Sequence, residues 1–290
     1  MTATPTYSQL LNRRTMMWST EANKTRFDAA TQAEFQQLIY INRKHQGYEF
    51  ATKCGVACVP HQIFDDIDAA LAGPLPPRFV IKPLGGHSSA GVYLIDTRAD
   101  GSLWCHMTNQ SFQHPDALAA EYKKRLAKAG KYKMSTEILR EGYVRDSLGF
   151  DVPLDYKVYG FYTGAVIVMQ RYAPIHLPHD KWAFALYDRN GTDLGPIRWN
   201  TDTSPTVKMS LPDNFDALIR TTDRLLQQAR VSFVRTDLYS TPDGVVFGEF
   251  TPVPNAGKES FTPEYETILG RHWAESLEAL GLSYFNKPAA

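Results

Sequence analysis

Apolar residues fall in short runs along this chain, and the period of the runs keeps changing. Phe79 to Lys82 reads as a buried strand, and Val92 to Ile95 as the strand returning from it. Asp155 to Phe161 and Ala165 to Tyr172 alternate well enough for an antiparallel hairpin turning at Thr163-Gly164, and Phe233 to Tyr239 with Val245 to Phe250 forms another around Pro242-Asp243-Gly244. Helical spacing governs Ala30 to Lys53, with Phe35, Leu38, Ile39, Ile41, Tyr48 and Phe50 as candidate buried positions and Gly55 as the stop. It also governs a helix opened by His114-Pro115-Asp116 and running through Lys128, one from Asp213 to Arg230, and an amphipathic one from Pro263 to Leu280. Shorter elements are a strand over Val56 to Ile63, a helix over Asp65 to Ala72, a strand over Leu103 to Met107 after Asp100-Gly101, and a strand over Met134 to Leu139 with Glu137 and Glu141 at its end. Gly73-Pro74-Leu75-Pro76-Pro77 is a stiff turn. Up to about Asp28 no period is sustained, which predicts a surface wrapping.

From Ala173 to Pro212 the chain is rich in Pro, Asp, Gly, His and Trp, with only Trp182 to Tyr187 strand-like. A connection this long inside a compact domain is usually functional, so it reads as a substrate-covering loop. The 290 residues suffice for one large domain or two small lobes around a cleft. Lys plus Arg, 31, equals Asp plus Glu, 31, so the charge balance gives no reason to expect nucleic acid or an anionic membrane as partner. The basic run Lys123, Lys124, Arg125, Lys128, Lys131 and Lys133 reads as a solvated helix face. No apolar run approaches the ~20 residues needed to span a bilayer, and the polar start lacks a secretion signal, so a cytoplasmic protein is expected. Cys54, Cys58 and Cys105 are too few for a disulfide framework and read as reduced, buried thiols.

Two stretches carry candidate chemistry. Between the strand ending in Lys82 and its return lie Gly85, Gly86, Ser88, Ser89 and Gly91. Glycine and serine let backbone N–H groups converge on a phosphate, and a strand-borne ammonium reaches the same oxygens. The lysine precedes the glycines, so this is no Walker A loop. A purely structural turn is the alternative for this stretch taken alone. In the last hairpin Asp237 and Glu249 fall on paired strands whose register can set both carboxylates on one face, where they repel unless a cation such as Mg²⁺ neutralises them. Thr251 adds a hydroxyl. Each acid by itself reads as a strand-end surface residue, and Lys44 by itself as a solvated helical lysine; taken with the glycine loop, the acids read as a metal pair.

FVIKPLGGHSSAG resembles the lysine strand and glycine loop of the ATP-grasp superfamily, and VRTDLYSTPDGVVFGEFTPVPNAG resembles its metal-binding hairpin. With DYKVYGF the combination most resembles the TupA-like branch, named after a teichuronopeptide-synthesis protein. The resemblance runs from about Lys44 to Gly270 and implies an α+β fold of two lobes with antiparallel sheets enclosing a nucleotide cleft. The N-terminal lobe is reduced, since the roughly 40 residues before Lys44 fall short of the ~100 a full domain takes. The implied division is a short N-terminal segment over 1–74, a small lobe over 75–140 and a large lobe over 141–290.

The resemblance also assigns residues. Lys44 and Lys82 match the two lysines that contact ATP phosphates, and Gly86, Ser88, Ser89 and Gly91 match the loop folding over them. Glu137, Ile138 and Leu139 fall where a hinge holds adenine, and Asp155 takes the place of a ribose-binding acid. Arg235, Asp237 and Glu249 match the arginine and two metal-binding acids. Thr251 stands where the family has asparagine, which affects the shell of a second magnesium. The implied activity is ATP-dependent ligation: a carboxylate becomes an acyl phosphate and an amine displaces the phosphate, giving an amide or peptide bond in cell-envelope or secondary-metabolite synthesis. Lys157, Arg171 and Arg235 are the cations suited to orienting the carboxylate and the transferring phosphoryl group. His87 could take the amine's proton or donate to a phosphate. ATP and Mg²⁺, two ions in the family, are the implied cofactors, and an acid and an amine, as amino acid or peptide, the partners; a homodimer is compatible with the sequence. A small-molecule kinase and a nucleotide-binding module without turnover are the alternatives on the same scaffold.

Overall fold

The two hairpins read from alternation form the middle of one sheet. Strand β8 (Asp155–Phe161) pairs antiparallel with β9 (Gly164–Tyr172), and β11 (Phe233–Thr241) with β12 (Gly244–Thr251). β11 lies beside β8, β10 (Ala183–Asp188) adds to β9, and β1 (Ala57–Cys58) joins β12 in parallel, so the six-stranded order is β1-β12-β11-β8-β9-β10. The second sheet is antiparallel throughout, in the order β2 (His61–Phe64), β7 (Ile138–Gly142), β3 (Arg78–Pro83), β4 (Tyr93–Thr97), β5 (Leu103–Cys105) and β6 (Gln110–Phe112). This computed structural model describes residues 4–19, 27–85, 91–128, 135–174, 177, 181–198 and 209–284.

Each sheet buries its apolar faces on helices. One face of the large sheet, with Tyr156, Val158, Val168, Val234 and Phe247, packs against α6 (Phe215–Ala229) and against α2 (Ala29–Asn42) and α3 (Lys44–Lys53). Part of the other face, with Tyr159, Phe161, Ile167 and Phe233, lies under α1 (Tyr7–Ser19) and α7 (Pro263–Leu280). The small sheet forms its own core with α4 (Ile67–Leu71) and α5 (Pro115–Lys128). The architecture is the expected α+β arrangement of two sheets, antiparallel but for the short β1.

Three stretches differ from the sequence expectation. The N-terminal segment is not a surface wrapping: Tyr7, Leu10, Leu11 and Met17 of α1 are buried on one helical stripe. Arg14 occupies the middle of that stripe and hides its period. Its guanidinium, fully buried, donates to Tyr284 Oη at 2.6 Å, to Ser232 Oγ at 3.0 Å and to the Phe233 carbonyl, pairs with Glu34 at 3.2 Å and lies 4.6 Å over the Trp273 ring. These bonds satisfy a buried cation with partners from distant parts of the chain.

The expected helix over Ala30 to Lys53 breaks at Arg43, which is extended at φ −75° and ψ 122°. On a straight helix Leu38 and Tyr48 would point about 80° apart; the break lets both reach the same core. The expected strand over Val56 to Ile63 divides at Val59-Pro60, its first part entering the large sheet and its second the small one. Residues up to 74 thus contribute to both sheets.

Candidate active site

Successive strand residues alternate faces, so Asp155, Lys157 and Tyr159 project from the same side of β8. Register then sets Asp155 opposite Arg171, Lys157 opposite Asp237, Asp237 opposite Glu249 and Arg235 opposite Thr251. A charged row crosses four strands. Arg171 donates to Asp155 Oδ2 at 2.7 and 3.1 Å, and Lys157 Nζ lies 3.4 Å from that oxygen while also bonding Asp237. Arg235 forks onto Asp237 at 2.7 and 2.9 Å and reaches Thr251 Oγ1 at 3.1 Å. The contacts that hold Asp155 in this row fall on its Oδ2.

The opposed charges decide the ionisation. Burial would raise Asp155, but Lys157 and Arg171 outweigh it and hold the carboxyl down at about 2. Burial likewise opposes charge on Asp237, and Arg235 with Lys157 leaves it lowered. Burial acts against the Arg235 cation, and Asp237 more than restores it.

A bulge aligns the two acids of the last hairpin. After Asp237, which faces Glu249, the next pair is Leu238 with Phe247, so Gly248 has no partner. A Cβ on Gly248 would stand 2.9 Å from the Asp237 carbonyl oxygen and 3.1 Å from the Tyr239 ring. Only glycine lets the strands close at this point, and Asp237 and Glu249 come level because of it.

The small sheet supplies the facing group. Lys82 on β3 and Glu141 on β7 lie diagonally on one face and pair at 2.6 Å. Tyr48 of α3 completes the cluster, donating to Glu141 and accepting from Lys82 at 3.1 Å. Burial acts to lower Lys82, but Glu141, with Tyr239 and Glu249 of the other sheet, leaves it raised. Lys44, one helical turn before Tyr48, reaches the Leu84 carbonyl at 3.5 Å. Burial lowers its ammonium, with Lys82 adding to the effect and Glu249 opposing it. Lys82 of the small sheet and Lys44 of α3, on the large-sheet side, therefore meet the charge of Glu249 at a cleft between the sheets.

The remaining sequence candidates divide. Gly86, Ser88 and Ser89 lie outside the described residues; Gly91, at φ +77°, closes that loop in a conformation suited to glycine. Glu137 is exposed just before β7 and beside the loop, its carbonyl accepting from Leu84 N–H at 2.9 Å. Ile138 and Leu139 are fully buried, and their strand pairs on both sides, with β2 and β3. The crossing between sheets comes later, over residues 143–154, where Asp146 accepts from Leu148 N–H at 2.8 Å and Leu154 N–H at 2.9 Å. Glu141 and Tyr48 are the site residues that sequence reading passed over. Strand alternation from Lys82 and the helical spacing of Lys44 and Tyr48 were the signals available.

The donors fit a hard cation. Among the described residues the Glu249 carboxylate makes no hydrogen bond or ion pair, although Lys44 and Lys82 feel its charge. Asp237 is held by Arg235 and Lys157 and keeps lone pairs beyond those bonds. No group of three or more His, Cys, Asp or Glu side chains converges among the described residues, so an ion here would draw further oxygens from its ligand.

Three solved structures illustrate the likeness to known proteins. The D-alanine-D-alanine ligase from Helicobacter pylori is 16% identical, with 88% of this chain and 67% of that one covered and a TM-score of 0.48. D-cycloserine synthetase DcsG is 16% identical, covering 83% and 71%, with a TM-score of 0.48. The ATP-grasp ligase PsnB, solved with a phosphomimetic variant of its minimal precursor, Mg and ADP, is 10% identical, covering 84% and 60%, with a TM-score of 0.44. The chain thus spans about two thirds of their lengths. No curated protein matches it. Residues 34–274 match the family described as TupA-like ATPgrasp, a span that takes in both sheets and every group of the cleft, and the chain belongs to that family.

Proposed function

We propose that the protein is an ATP-dependent ligase that activates a carboxylate as an acyl phosphate and joins it to an amine. The carrying observation is the pairing of Asp237 with Glu249 across a bulge, on a face that shares its field with Lys82 and Lys44. In this reading the lysines and the glycine loop with Gly86, Ser88, Ser89 and Gly91 hold the triphosphate, and Asp155 Oδ1 accepts from the ribose. Glu249 and Asp237 would hold one magnesium, and a second would draw on Glu249 and Thr251. Bound there, magnesium offsets the charge on the phosphate oxygens.

The chain's own groups perform the rest. Arg235, fixed by both oxygens of Asp237, presents its remaining N–H edge beside the acids, where a carboxylate and the transferring phosphoryl group would both carry negative charge. Lys157 and Arg171, each neutralised by a carboxylate, keep the surrounding floor rigid. A carboxylate oxygen takes the γ-phosphoryl group as its bond to ADP breaks; the amine then attacks the acyl carbon, the C–N bond forms as the C–O bond to phosphate breaks, phosphate leaves, and the amine's proton passes to solvent. An amino acid or peptide supplies acid and amine in this reading.

Phosphate release from ATP, with candidate acids and amines added singly and together, tests it. Release that requires both is expected; a phosphorylated alcohol would instead make the protein a kinase, and tight nucleotide binding without turnover a module. Glu249→Gln should keep the fold and lower turnover by roughly a hundredfold or more, the scale of losing one group that stabilises transferring charge. Near-normal turnover would remove the metal assignment.

A further inference from the structure

Tyr48 belongs by packing to the large sheet and by bonding to the small one. Its ring lies in the core with Leu38, Val158 and Phe247, 5.9 Å from the Phe247 ring, and 4.6 Å from that of His61. Its hydroxyl closes a three-membered cycle on the other side of the cleft: it donates to Glu141 Oε1, Lys82 donates to it at 3.1 Å, and Lys82 pairs with the same Glu141 oxygen at 2.6 Å. Tyr48 is only 2% exposed, and burial followed by Glu141 raises its pKa well above the ordinary range, so the proton stays on the phenol.

A lysine has three N–H donors, and this cycle uses two of them. Among the described residues the third has no acceptor, and its direction is set by the other two. The Tyr48 proton also shares the charge of Glu141; without it the carboxylate would pull harder on Lys82. We propose that Tyr48 is a positioning residue that fixes the amine of Lys82 for nucleotide phosphate and ties that amine to the large lobe. The inference rests on the reading of Lys82 as a phosphate contact. It adds a residue that touches no nucleotide and acts only through Lys82 and Glu141.

Calorimetric titration with ATP, ADP and adenosine, all with magnesium, tests it on the wild-type chain, Tyr48→Phe, Lys82→Ala and the double variant. Tyr48→Phe keeps the ring in its core. It should weaken ATP and ADP roughly tenfold, about 1.4 kcal/mol, and leave adenosine unchanged. In the Lys82→Ala background it should have no further effect. Equal weakening of adenosine and ATP, an unchanged ATP affinity, or a full further loss in the double variant would overturn the proposal. Should Tyr48→Phe fail to fold, Glu141→Gln probes the same link and should also weaken ATP while sparing adenosine; the opposite selectivity would overturn it. A wild-type chain that binds no ATP would overturn this proposal and the functional reading together, whereas normal ATP binding with no selectivity in Tyr48→Phe overturns this one alone.

Discussion

Replacing Asp155 by Asn tests whether the charged row stabilises the fold as well as shaping the cleft. In the folded chain burial works against the Asp155 carboxylate, and Lys157 and Arg171 overcome it, so the group titrates at about 2 instead of 3.8. At about 1.4 kcal/mol per pH unit the difference is roughly 2 kcal/mol. A carboxyl whose folded pKa is depressed gives stability that is present above its unfolded value and lost as pH falls through the folded one. That contribution should therefore be complete above about pH 4 and gone near pH 2. The side chain is 22% exposed, so screening by solvent removes little of it. Asn keeps the size and one acceptor for Arg171, and Lys157 retains Asp237. Urea unfolding of both proteins at intervals from pH 6 to pH 2 measures the gap directly. The expected course is a difference of about 2 kcal/mol at pH 6 that closes toward pH 2. A difference that stays constant over this range would show that Asn acts through packing, and one near zero at pH 6 would mean that the row contributes no net stability.

Gly248→Ala should cost roughly 1–3 kcal/mol in chemical denaturation, since its Cβ would meet the Asp237 carbonyl at 2.9 Å. It should also reduce magnesium-dependent nucleotide turnover more than stability alone explains, because the two acids leave register; full turnover would refute the role given to the bulge. Arg14→Met leaves Glu34 buried without its cation and should destabilise by roughly 3–5 kcal/mol. Arg14→Met with Glu34→Leu should recover much of that loss in thermal unfolding, and a double variant as unstable as the single would contradict the ion-pair account.

Much of the fold was legible where local period and burial agree. The hairpins of β8 with β9 and β11 with β12 alternate and turn at Gly-containing pairs, so their strands and pairing follow from the sequence, while the bulges that shift their register do not. The helix over Pro263 to Leu280 has its proline start and its apolar stripe in plain view. The first helix was hidden because the central position of its buried stripe is Arg14, whose charge is satisfied by Glu34, Ser232, Tyr284 and the Phe233 carbonyl, all distant along the chain. That Ile138 and Leu139 enter a strand of the small sheet was hidden for a similar reason. Pairing of β7 on both edges binds that backbone into a sheet, and nothing local announces which strands will flank it.

By itself the order of residues determined the strand faces, and so it named the acids, lysines and arginine that could share a site: alternation and helical phase are properties of the nearest few residues. Tertiary structure alone decided that Glu249 would sit level with Asp237 and within the field of Lys82, that Glu141 and not Glu137 would enter the cleft, and that Tyr48 would join the two sheets. Those outcomes depend on contacts between residues tens to hundreds of positions apart, where charge and volume are settled by what the folded chain brings alongside.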